Sequence, residues 1–255
     1  MTMAMRSLWT RLLPGCWLCL AGLASAEVVP DLPPPDNIDL QLAFENATGR
    51  YGEAKSSGIR QTTLSTRYRK GNWLLGLDAP WLQIQDRAPD ADHPRAEGVG
   101  DVVLRLTRTL RDLDTRGPGI DITTKVKTRT GNAGLGLGSG ATDVSLQIDG
   151  TQLLSRSTLL FGHIGKRETG DLPGRKPFKD PWYAEAGFQT RWANQHDAGV
   201  YHSVRGRIGA LGPLREWTAF AGTRVDAMRF QVYLSHGVSR ASADWAAGMI
   251  GRYRF

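Results

Sequence analysis

Residues 245–255 read Trp245-Ala-Ala-Gly-Met-Ile-Gly-Arg-Tyr-Arg-Phe255. In an extended chain Trp245, Ala247, Met249, Gly251, Tyr253 and Phe255 share one face, while Asp244, Arg252 and Arg254 share the other. The last residues of most domains are loose and polar. This stretch alternates to its final residue, as a strand does when it faces lipid on one side and a lumen on the other.

The other end of the chain is consistent with export. Arg6 and Arg11 precede an apolar run, Leu12 to Leu23, that ends at Ala24-Ser25-Ala26. A charged segment, a short apolar segment and a small-residue cleavage site predict a signal peptide over residues 1–26. Both cysteines, Cys16 and Cys19, lie inside it, so the expected mature chain has no thiol, disulfide or cysteine metal site. No other pattern calls for a cofactor. Removing Arg6 and Arg11 lowers the formal charge from +7 to +5. An exported chain with that modest excess points to solutes or lipopolysaccharide as partners rather than to nucleic acid. No later segment approaches the roughly 18 apolar residues of a helical span. A membrane location then demands a closed barrel, the other architecture that satisfies every backbone group in lipid.

Residues 27–37 are proline-rich and read as an extended periplasmic lead-in. The barrel is expected over 38–255, in twelve strands: 38–47, 58–69, 72–85, 100–111, 119–129, 142–154, 157–167, 182–193, 198–208, 214–225, 228–238 and 243–255. The fold class is therefore all-β, an antiparallel transmembrane β-barrel with both termini periplasmic. Long linkers at 48–57, 86–99, 130–141 and 168–181 alternate with short ones, the expected asymmetry of outer loops and periplasmic turns. The 111–118 linker departs from that rule. Trp182, Trp217 and Trp245 are placed at the outer rim, and Trp73, Trp192, Tyr253 and Phe255 at the periplasmic rim, as two aromatic girdles. The Tyr253/Phe255 pair also resembles the tag read by barrel-assembly machinery, a further expected partner beside outer-membrane lipid.

Strand alternation sends Arg105, Lys125, Lys127, Arg129, Arg191 and Arg205, with Asp143, Asp149 and Glu185, to the lumen side. Arg207, Arg252, Arg254, Asp101 and Asp121 share that expectation. Opposing basic and acidic groups across a pore orient solutes, but the same groups can pair and plug it. Twelve strands lie between barrels filled by side chains and barrels holding open water, so both readings stand. Lys125 or Lys127 is expected to pair with Asp143 or Asp149.

Three stretches carry a family resemblance. Gly98-Val-Gly-Asp101-Val-Val-Leu-Arg-Leu, the glycine-rich 130–143, and Leu234-Ser-His-Gly-Val-Ser-Arg-Ala-Ser-Ala-Asp-Trp245 resemble the outer-membrane barrels of the meta-pathway phenol-degradation ("transporter") family. The resemblance implies a channel or transporter for small solutes, with aromatic or anionic compounds as candidates, and it brings no catalytic residues. The basic loop Leu172-Pro-Gly-Arg-Lys-Pro-Phe-Lys179 departs from the family.

The glycine run 131–140 lacks the Gly-Lys-Ser/Thr that opens a P-loop helix, and reads as a loop outside the barrel or folded into its mouth. A lipid-modifying hydrolase is the first alternative, through His236 with Ser239 or His202 with Ser203. Residues one or three apart on a strand point to opposite faces, which opposes both pairings, and His163 has no evident partner. An adhesion or structural barrel, binding through 176–181 and 90–94, is the second.

Overall fold

The computed structural model describes residues 36–51, 56–85, 95–113, 117–171, 180–193, 195–207 and 212–255. They form β1 (Asp36–Gly49), β2 (Ser57–Lys70), β3 (Trp73–Gln85), β4 (Ala96–Val99), β5 (Val103–Arg111), β6 (Gly119–Lys127) and β7 (Asp143–Leu153). Then follow β8 (Thr158–Glu168), β9 (Trp182–Trp192), β10 (His196–Arg205), β11 (Leu214–Val225), β12 (Met228–Gly237) and β13 (Trp245–Arg254). Every pairing is antiparallel, and β13 returns to pair with β1. Both β4 and β5 pair with β3, at successive levels, so they share one place in the wall. The result is a closed antiparallel barrel of twelve strands. Closure leaves no long sheet edge to protect.

The alternation of the sequence appears as an inverted burial pattern. On β1, Asn37, Asp39, Gln41 and Glu45 are buried while Ile38, Leu40, Leu42 and Phe44 are exposed. Leu104 and Leu106, Leu146 and Ile148, Val232 and Leu234, and Met249 extend that outward apolar face around the barrel. A soluble protein buries these residue types; a barrel in lipid exposes them. A ten-residue strand, rising about 3.4 Å per residue and tilted about 40°, spans roughly 26 Å, close to the ~25 Å apolar band of such barrels. Trp182, Trp217 and Trp245 are exposed toward one end of the wall, and Trp73, Trp192, Tyr253 and Phe255 toward the other.

Residues 71–72, 154–157 and 226–227 make brief connections at the end where Asp36 and Phe255 lie, and β9 and β10 meet there at Trp192 and His196. The strand ends Arg111 and Gly119 lie at this end too, separated by more residues than the others. At the opposite end lie residues 128–142 and 238–244, together with the strand ends Gly49 and Ser57, Gln85 and Ala96, Glu168 and Trp182, and Arg205 and Leu214. β1 begins at Asp36, two residues inside the expected lead-in. The signal-peptide expectation, the basic loop 172–179 and the acidic stretch 90–94 lie outside the described residues.

One strand departs from expectation. The segment expected as 100–111 starts earlier, at Ala96, and breaks at 100–102. Asp78 lies opposite Val103 and Trp81 opposite Val99, so three residues face two, which is a bulge. Pro80 explains its position. Its carbonyl accepts from Gly100 N at 2.8 Å, so its missing amide would have pointed to the same neighbour, and the ladder cannot continue there. Thr128 and Thr130 reach across to the freed groups: Val102 N donates to Thr130 Oγ1 at 2.8 Å, and Thr130 Oγ1 donates to Gly100 O at 2.9 Å.

Candidate functional site

The bulge aims Asp101 into the barrel, 5 % exposed. Its carboxylate accepts from Gly131 N at 3.0 Å, Ser139 N at 2.8 Å and Lys127 Nζ at 2.8 Å. Lys127 also donates to Ala141 O at 3.0 Å, to Ser139 Oγ, and lies 3.4 Å from Asp143. These bonds pull the glycine-rich loop 128–142 inward. Leu137 is buried at 2 % against Leu82, Ile84 and Ala96 on the inner wall. Glycine is needed where the loop touches itself: a Cβ on Gly138 would meet Asp101 Oδ1 at 2.4 Å, and one on Gly131 would meet Leu137 O at 2.5 Å. The run is an inward fold over the mouth, one of the two forms expected of it.

Below the loop lies a cavity of about 90 Å³. A single water needs roughly 10–15 Å³ on that measure, so several waters or a small solute fit. Most of its cations come from β5, β6 and β8, with Arg205 on β10, and its carboxylates are Asp78, Glu185 and Glu216. Arg67 pairs with Asp78 at 2.7 Å and Arg105 approaches the same carboxylate at 3.8 Å. Lys125 donates to Gln147 Oε1 at 2.8 Å and lies 5.9 Å from the Tyr183 ring, which meets His163 edge-on. Arg167 lines the same space. Gln61 Oε1, Gln189 Oε1 and Gln231 Nε2 are buried with no hydrogen-bond partner among the described residues, atoms that a wet lumen satisfies.

The candidate residues fall in different places. Arg105, Lys125, Lys127 and Glu185 line the cavity, as does Arg205 at the loop end of β10. Asp143 is 1 % exposed, opposite Lys127 in the β6–β7 ladder, so one expected pairing is present. Asp149 accepts from Thr123 at 3.0 Å and from Gln147, toward the short-turn end. Arg191 lies at that end, opposite Asp197. Arg129 does not line the barrel: β6 ends at Lys127 because the loop turns inward there, and Arg129 is exposed beyond it. Tyr253 and Phe255 meet edge-on at 4.7 Å on the outer face.

The sequence reading missed the second wall. Phe161, Tyr201, Phe220 and Tyr233 point inward and cluster with Ala43 and Ile250. A glycine directly across the ladder receives each of three rings: Gly187 opposite Phe161, Gly199 opposite Phe220 and Gly248 opposite Tyr233. A Cβ there would stand 2.7, 2.5 and 2.4 Å from a ring carbon. Tyr183 lies over Gly165 in the same way, at 2.4 Å. The rings thus lie along the wall instead of crossing the lumen. Tyr233 Oη donates to Glu45 Oε2 at 2.5 Å. Each ring falls at an inward position of its strand, a signal in the sequence, but its glycine becomes visible only with the register.

The two serine–histidine pairs are not brought together. His236 Nδ1 contacts Asp244 O at 2.9 Å and its ring lies 4.4 Å from Trp245, while Ser239 Oγ bonds to Ser242 Oγ at 2.8 Å. His202 stacks on Trp217 at 4.5 Å on the outer face, and Ser203 lines the cavity on the inner one.

No family model and no curated protein matches the chain, so the phenol-degradation resemblance is not confirmed. Solved structures do match in shape. An outer membrane channel from Pseudomonas putida F1 aligns with a TM-score of 0.74 at 13% identity, covering 90% of this chain and 100% of that one. The KdgM porin aligns at 0.56 and 7% identity, covering 86% and 99%, and the NanC porin at 0.54 and 9%, covering 85% and 98%. At these identities the shared property is the fold, that of outer-membrane β-barrels.

Proposed function

We propose that this chain is an outer-membrane channel that passes small solutes through a narrow, wet lumen, with its termini and short turns on the periplasmic side. The matching solved channels and porins support the transport reading, and the outward apolar face with its two aromatic rims supports the location. The observation that carries the finer reading is the two-sided lumen. Arg105 on β5, Lys125 on β6 and Arg167 on β8 lie around the ring from Tyr201, Phe220 and Tyr233 on β10 to β12, and Phe161 on β8 joins those rings. Such walls favour solutes that join an apolar, aromatic body to a carboxylate, because a cation meets one end and flat rings meet the other.

Single-channel recording of the refolded protein in a planar bilayer tests this. Steady openings, with faster liposome swelling in benzoate than in a neutral sugar of similar size, are expected. A well-folded barrel that passes no current overturns the channel. Openings with no preference for benzoate overturn the solute class and leave the channel.

A further inference from the structure

At the loop end, part of the inner wall is apolar. Ala246, Ala47, Ile59, Ile84 and Ala96 stand directly opposite one another across β13, β1, β2, β3 and β4, and all five are buried. The interior of such a barrel is ordinarily polar. An apolar row there is favourable only under a cover that removes it from water. Two covers are present. Tyr51 and Ala243 pack on the half formed by Ala246, Ala47 and Ile59. Leu137, with Leu135 beside it, packs on the half formed by Ile84 and Ala96, together with Leu82.

The two covers are held differently. Ala243 belongs to residues 238–244, which are bonded to the backbone of β11. Arg215 N donates to Ser242 Oγ at 3.0 Å, Ser242 Oγ donates to Arg215 O at 3.0 Å, and Val238 N donates to the same carbonyl at 2.9 Å. Tyr51 lies two residues beyond the end of β1. Leu137 instead rides on a tip, residues 132–138, that is folded on itself. Leu137 N donates to Asn132 O at 3.0 Å, Gly136 N to Ala133 O at 3.1 Å and Leu135 N to Asn132 Oδ1 at 3.2 Å. Asp101 pins the two limbs just outside that tip, at Gly131 N and Ser139 N. A compact unit between two pins, seated on the wall by its leucines, can turn about Gly131 and Gly138 while the pins and its own turn stay intact.

We infer that residues 132–138 are a lid, which swings off Ile84 and Ala96 to open the mouth above the cavity and closes by reseating Leu137. The half of the row under Tyr51 and Ala243 stays covered, so the opening is one-sided, along β3 and β4. An apolar constriction that closes and parts is one way in which pores are gated. The transport consequence rests on the channel reading; the movement is a property of the folded barrel alone.

Cys16 and Cys19 are the two cysteines of the chain, so with both replaced by Ser an introduced cysteine reports its own site. In the refolded barrel in detergent, Ala96→Cys is expected to react slowly and to completion with a water-soluble maleimide, and Ala47→Cys, under the fixed cover, to stay protected. Adding Leu137→Ser should speed the reaction of Ala96→Cys at least about tenfold, because the buried leucine holds the lid shut, and should leave Ala47→Cys unchanged. Heat-modifiable mobility on gels checks folding, and Leu137→Ala replaces the serine variant if that fails to fold. No reaction of Ala96→Cys in the folded barrel, no acceleration by Leu137→Ser, or equal acceleration at both sites overturns the lid. A disulfide joining Ala96→Cys to Leu137→Cys should abolish single-channel openings until dithiothreitol is added. Current that ignores the cross-link overturns the lid as a gate. A barrel silent in both redox states whose Ala96→Cys still reacts refutes the channel while supporting the lid.

Discussion

Lys125 and Lys127 are two residues apart on one strand face and have the same charge, yet their surroundings assign them different work. Lys127 is enclosed by Asp101, Asp143, Ser139 and Ala141 O and is 6 % exposed. Lys125 faces the cavity, bonded to neutral Gln147. Replacing Lys127 with Met leaves two buried carboxylates without their shared cation, a change that costs about 3–5 kcal/mol in comparable buried pairs. The expected outcome is a lower urea midpoint, together with proteolytic cutting within 130–141 and a larger conductance as the loop leaves the mouth. Lys125→Gln should leave the midpoint nearly unchanged and move the reversal potential toward cations. If Lys127→Met keeps both the midpoint and the conductance, the clamp is refuted. The sequence placed both lysines on the inner face; it could not separate them, because Asp101 reaches Lys127 through a bulge and a loop fold that alternation does not encode.

At the scale of the strand, the twelve-strand pattern was legible because each strand alternates sharply between lipid-facing and lumen-facing residues. Two things were not. Ala96–Val99 looked like loop, since the bulge that Pro80 imposes shifts the alternation between Val99 and Val103. The inner aromatics looked like breaks in polarity, because the glycines that accommodate them sit on neighbouring strands at a register no single strand reveals. Gly248 makes this testable. Alanine there would press on Tyr233 Cζ, push the ring off the wall and strain its bond to Glu45. Overpacking of this kind costs about 1–3 kcal/mol. Gly251, on the outer face of the same strand, is the control: its nearest atom would be 3.8 Å away. Gly248→Ala should lower the urea midpoint and the conductance together, and Gly251→Ala neither. Equal behaviour of the two variants would show that the glycine opposite Tyr233 is not needed as space.

For the whole molecule, everything depends on the seam where β13 closes onto β1 through a ladder from Asp39–Arg254 to Thr48–Trp245. Phe255 adds to that seam one backbone hydrogen bond, to Ile38 O at 2.9 Å, and a ring that is 70 % exposed on the outer face. A single such bond contributes only about 0.5–1.5 kcal/mol net, little against a closed wall of twelve strands. Its deletion should therefore leave refolding in detergent intact, with the same heat-modifiable mobility as the full chain. In cells the outcome should differ, on the proposal that assembly machinery reads the exposed Phe255 ring beside Tyr253 before the barrel closes. The deletion is expected to lower the amount of folded barrel recovered from the outer membrane at unchanged synthesis. Normal recovery would remove the case for Phe255 as an assembly signal. Failure in detergent as well as in cells would instead make Phe255 part of the closing seam, so running both assays separates recognition from stability.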